Sequence, residues 1–138
     1  MYWTITILTL FFVIGASAKD VHIDDRTGGQ ATFSVKLAED ENTCHGDKWE
    51  ITQISKPKIP NDEIACLWRV ESSRAIFVDL YNDGDCDRKP QKGWGRATVK
   101  PGDYARSENL ERDDHNYDYN DSGELTGKVT CIIIRLAN

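Results

Sequence analysis

Three histidines, His22, His45 and His115, are the side chains best suited to proton transfer in this chain. In a ribonuclease-like arrangement two imidazoles trade protons with the substrate while Lys or Arg steadies phosphate charge. Here all three lie in polar segments with no spacing that ties them together, so we expect exposed histidines without a catalytic role. The run Asp83-Gly84-Asp85-Cys86-Asp87 places carboxylates at alternate positions, as in the first half of a calcium-binding EF-hand loop. That loop needs Gly where Arg88 stands and a bidentate Glu where Trp94 stands. A second acidic stretch holds Glu111, Asp113, Asp114, Asp118, Asp121 and Glu124, with Val129 where its closing Glu would fall. It is expected to be a solvated surface loop. No nucleophile elbow, HExxH helix or phosphate loop occurs, and the carboxylates do not single out a glycosidase pair. The sequence predicts no catalytic residue, no metal and no cofactor.

Binding is better served than catalysis. Trp and Tyr dominate the energetics of recognition surfaces. Trp68 falls in register with Cys66 and Val70 and is expected in the core. Trp94, between Gly93 and Gly95, and Tyr117 and Tyr119, set among acidic residues, are expected at the surface as binding residues. Asn120-Asp121-Ser122 is an N-glycosylation sequon in the same region, which marks Asn120 as the acceptor of a glycoprotein.

These residues need a compartment and a scaffold. Residues 1–18 carry no charge, contain the apolar stretch Ile5–Ile14 and end in Ala16-Ser17-Ala18 before Lys19. This is the layout of a secretory signal peptide, too short to span a bilayer as an anchor. The 138 residues hold 17 Lys+Arg against 23 Asp+Glu, a net charge of -6. An acidic chain lacks the basic face that a phosphate backbone requires, so no nucleic-acid partner is expected. An extracellular or host protein target is expected instead, met by a secreted, unanchored monomer. Four cysteines, Cys44, Cys66, Cys86 and Cys131, imply two disulfides in a small secreted domain. Three pairings are open. Cys44–Cys131 with Cys66–Cys86 is preferred, because the second pair would join neighbouring strands.

Residues 19–30 are polar and aperiodic, and are expected to form a flexible N-terminal arm. From Ala31 to Leu37, Phe33, Val35 and Leu37 alternate with Thr32, Ser34 and Lys36, the period of a half-buried strand. Further strands are predicted over 49–54, 64–70, 75–81, 93–100 and 128–136. Segment 75–81 is apolar on both faces except for Asp79, as in a central strand. The triplet Ile132-Ile133-Ile134 places the last strand inside a sheet. Short strands separated by turn residues define an all-β sandwich or barrel of about six strands, a single domain over 31–138.

The strand Ala75–Leu80 followed by Tyr81-Asn82-Asp83-Gly84-Asp85-Cys86 resembles the strand plus Tyr-x-Asp-x-x-Cys element of small secreted fungal proteins, many of them effector candidates. Asp87 stands where a glycine often follows that cysteine. The resemblance implies a secreted, effector-like binding protein that promotes virulence or colonisation and has no catalytic centre. A small secreted hydrolase such as a ribonuclease, a protease inhibitor and an antimicrobial toxin are the alternatives.

Overall fold

The computed structural model describes residues 19–40, 44–46, 48–120 and 123–138. The predicted signal peptide, residues 1–18, lies outside the described residues. Among the described residues eleven strands follow in order: β1 (His22–Asp25), β2 (Phe33–Ala38), β3 (Lys48–Thr52), β4 (Cys66–Ser72), β5 (Ile76–Tyr81), β6 (Gln91–Lys92), β7 (Trp94–Val99), β8 (Ala105–Ser107), β9 (Tyr117–Asn120), β10 (Gly123–Glu124) and β11 (Cys131–Leu136). They form a five-stranded sheet ordered β1-β11-β5-β7-β9, a four-stranded sheet ordered β3-β2-β4-β8, and the two-residue parallel pair β10-β6.

Both large sheets are antiparallel except where β1 runs parallel to β11. Their inner faces share one core. Val35, Leu37, Ile51, Leu67 and Val70 come from the four-stranded sheet, and Ile76, Val78, Leu80, Ala97, Val99, Ile132 and Ile134 from the five-stranded one. The sheets do not close into a barrel, so the fold is all-β and sandwich-like. As the apolar runs imply, β5 is the central strand of its sheet and β11 lies inside it, between β1 and β5.

Several expectations need correction. The polar segment 19–30 contains β1, which pairs His22–Asp25 with Cys131–Ile134. Val21 beside it is buried, and its amide donates to the Ile59 carbonyl at 2.7 Å. An edge strand needs only one apolar face, so Val21 and Ile23 suffice where periodicity over a longer run was lacking. The acidic stretch from Glu111 to Glu124 likewise holds β9 and β10 rather than a bare loop.

Trp68 is half-buried, outside the core. Leu37 pairs with Leu67 and Lys36 with Arg69, so Trp68 is the extra residue of a bulge. The bulge keeps Leu67 and Val70 facing inward and turns the indole outward, between the ammonium groups of Lys36 (4.8 Å) and Lys48 (5.3 Å).

The disulfides are Cys44–Cys66 and Cys86–Cys131, with Cα separations of 5.5 and 5.4 Å. The preferred pairing fails because β4 and β5, although consecutive, belong to opposite sheets. Cys66 therefore faces the β2–β3 connection, while Cys86, just beyond β5, reaches Cys131 on the neighbouring strand β11.

Candidate functional site

The outer face of the five-stranded sheet carries the richest chemistry. Its residues follow from pairing register and the two-residue period of strands. Along β5, Ile76, Val78 and Leu80 point into the core, so Phe77, Asp79 and Tyr81 point out. Tyr81 is paired with Cys131 and Trp94, Asp79 with Ile133 and Arg96, and Phe77 with Arg135 and Thr98. One strand further, Trp94 is paired with Asn120 and Arg96 with Asp118.

Asp79 is the centre of this face. Only 2% of it is exposed. It accepts from Arg96 Nε at 2.7 Å, from Arg96 Nη2 at 3.0 Å and from the Tyr81 hydroxyl at 3.0 Å, and Arg135 Nε stands 4.0 Å away. Such a fork bonds both carboxylate oxygens in one plane. The Arg96 guanidinium is held still more firmly in its charged form by this bond. Burial, followed by the charge and hydrogen bond of Asp79, pushes the Tyr81 phenol up, with Arg88 acting in the opposite sense.

Guanidinium and aromatic groups alternate around that centre. Arg88 lies 3.8 Å over the Trp94 ring, Arg96 lies 5.7 Å from Trp94 and 4.5 Å from Phe77, and Arg135 lies 4.9 Å from Phe77. Tyr81 stacks against Trp94 with centroids 6.3 Å apart. Each cation over a ring face is worth about 0.5–2 kcal/mol, depending on desolvation.

Residues 82–92 fold back over one side of this face. Cys86–Cys131 pins them, and Tyr81, Cys131 and Ile133 form a small second core with Cys86 and Trp94 packed on it. Asp83 is buried and accepts from the Asp87 amide (3.1 Å), Lys89 Nζ (3.1 Å) and Lys92 Nζ (3.2 Å). The carboxylate that would open a calcium loop is thus turned onto two lysines. Among the described residues no group of three His, Cys, Asp or Glu is placed to hold a metal ion.

Burial acts to raise the Asp83 carboxyl, but Lys89, the Asp87 amide and Lys92 outweigh it and hold the group below its ordinary 3.8. A lowered carboxyl stabilises the fold above its unfolded-state value, and that contribution is lost as pH falls through the folded one. Residues 82–92 should therefore become protease-sensitive only below about pH 3.8. Asp83→Asn should expose them to cleavage already at neutral pH and flatten the acid dependence; limited proteolysis across pH measures both.

Two concavities result. The larger, about 520 Å³, lies between residues 85–88 and the sheet and is lined chiefly by Arg26, Asp79, Tyr81, Arg88, Arg96 and Arg135. The smaller, about 430 Å³, is lined by Trp94, Arg96, Asp118, Tyr119 and Asn120. Arg96 belongs to both.

Of the residues expected at the surface, Trp94 and Tyr119 line the smaller concavity, both half-buried, together with the exposed Asn120 of the sequon. The other two sequon residues, Asp121 and Ser122, lie outside the described residues. Tyr117 must be corrected: it is 1% exposed. Its position on β9 points inward, its hydroxyl donates to the Leu110 carbonyl at 2.7 Å, and burial pushes the phenol far up. A methyl group at Gly95 would collide with the Tyr117 ring, so glycine on β7 is what makes room for that ring.

The histidines do not come together. His22 is on β1, His45 follows β2 in the other sheet, and His115 stacks on Tyr104 with centroids 4.4 Å apart. Sequence reasoning missed Arg88, Arg96 and Arg135. The available signal was Asp79, a lone carboxylate inside an apolar central strand, which demands a cationic partner on an adjacent strand.

No protein-family model, no curated protein and no solved structure matches this chain.

Proposed function

We propose that this chain is a secreted, effector-like protein that binds a host or environmental target through the outer face of its five-stranded sheet. The observation that carries the reading is the concave array of Arg88, Trp94, Arg96, Phe77 and Arg135 around the buried Asp79. Its members are held by the sheet and by a disulfide, so little side-chain entropy is left to lose on binding. Arg and Trp are the residue types that anchor interfaces most strongly. Two disulfides suit an oxidising, protease-rich exterior, and among the described residues no helix is long and apolar enough to cross a membrane. The predicted signal peptide and the resemblance to small secreted fungal proteins support release and action on a host.

Labelled protein should be retained on the surfaces of host tissue or neighbouring microbes. Arg88→Ala/Trp94→Ala should lose about ten-fold or more of that retention, as expected when two anchoring side chains are truncated. Trp68→Ala, on the opposite sheet, should keep it. Equal retention by the double variant would overturn the reading.

A further inference from the structure

We propose that the ligand is an acidic oligosaccharide: a carboxylate or sulfate group sits among Arg88, Arg96 and Arg135, and the adjoining pyranose ring lies against Trp94 beside Asp118. The inference rests on the reading of this face as the binding surface and names its ligand class.

The larger concavity has four arginines against three aspartates on a chain whose net charge is -6. Two pairs are committed within this lining: Asp79 is taken by Arg96 and Tyr81, and Arg26 is held by Asp24 at 2.8 Å. Asp85 is 82% exposed and 3.4 Å from Lys89, so Arg88 and Arg135 stand against Asp87 as the remaining charges. Among the described residues Arg88 has no carboxylate at ion-pair distance, and Arg135 meets one only at 4.0 Å. Both lie over an aromatic ring, Arg88 3.8 Å from the Trp94 centroid and Arg135 4.9 Å from that of Phe77. A guanidinium has five N–H donors, so one over a ring, even one that also acts on a phenol as Arg88 does on Tyr81, has donors left for an oxyanion.

The smaller concavity asks for different chemistry. Asp118 opposes a second anion there, while its carboxylate accepts from hydroxyl groups. Beside it the Trp94 indole offers an apolar surface. A pyranose supplies the complement, with hydroxyls at its rim and a C–H face for the indole. Arg96 borders both concavities, so anion and ring must be adjacent in one ligand. Each volume falls in the range of small-ligand sites, about 300–1,000 Å³.

Calorimetric titration of the purified, disulfide-bonded protein tests this with four probes: a uronic-acid trisaccharide, a sulfated trisaccharide, a neutral trisaccharide and inorganic sulfate. One of the two acidic sugars should bind about ten-fold or more tightly than the neutral sugar and than sulfate alone, and the stronger one identifies the anion. Arg88→Gln and Arg135→Gln should each weaken it about five-fold or more, and Asp118→Ala about three-fold. Equal binding of the neutral sugar would overturn the anion site, and equal binding of free sulfate would overturn the ring site. If no sugar binds while Arg88→Ala/Trp94→Ala still abolishes retention on host or microbial surfaces, this inference fails and the binding face stands, with a protein target. If that variant is also fully retained, both fail.

Discussion

Cys86→Ala/Cys131→Ala protein should be about 4 kcal/mol less stable to urea unfolding than the wild type, from the entropy of a 45-residue closure. The matching removal of Cys44–Cys66, which closes 22 residues, should cost roughly 3.4 kcal/mol. Against a typical net stability of about 5–15 kcal/mol, either loss is large. The two differ in a second readout. Without Cys86–Cys131, residues 82–92 are no longer tied to β11, and Tyr81 and Ile133 lose their cover. Target retention should then fall even under conditions where the chain stays folded. Loss of Cys44–Cys66, on the opposite sheet, should leave retention intact once folding is secured. Urea titrations paired with retention assays separate these outcomes, and equal loss of retention in both variants would contradict the placement of the site.

The second large effect concerns Asp79. Asp79→Ala leaves the Arg96 guanidinium, bonded at 2.7 and 3.0 Å in the native protein, without its carboxylate on a largely buried face. Breaking one side of a buried pair costs about 3–5 kcal/mol. Because 23% of the Arg96 side chain is exposed, we expect the lower end, about 3 kcal/mol. Arg96→Ala should cost at least as much, since it strands a carboxylate that is 2% exposed, bonded only to the Tyr81 hydroxyl and 4.0 Å from Arg135. Asp79→Leu/Arg96→Leu should recover most of either loss, because apolar replacements of a buried pair are often neutral in stability. In the cycle completed by Asp79→Ala/Arg96→Ala, additive losses would mean that the two residues act independently and that the pair does not organise the face.

Much of the scaffold was legible because the strong signals are local. The alternation of Phe33, Val35 and Leu37 and the apolar runs in β5 and β11 each report one strand's environment, and all three strands lie as expected. What was not legible depends on partners distant in sequence. His22–Asp25 is a strand because the edge of β11 accepts it, more than one hundred residues away. Trp68 points outward because one residue bulges against β2. The disulfide pairing follows from which sheet each strand joins, which turn chemistry does not reveal.

The same distinction holds at the site. Trp94 could be picked out from its own glycine neighbours, and Asn120 from its sequon. Arg88, Arg96 and Arg135 become significant only when β5, β7 and β11 are aligned and Asp79 is seen between them. Tyr117 and Tyr119 share one acidic segment and one strand face, yet only Tyr117 fills the space above Gly95. Polarity of the flanking residues therefore misjudged its burial.

Hydrogen–deuterium exchange of the protein in complex with its retained target tests the binding face most directly. Added protection should fall on residues 76–81, 83–96, 118–120 and 131–135, the strands and the pinned segment that build the two concavities. Protection confined to 33–38, 48–52 and 66–72, on the opposite sheet, would contradict it.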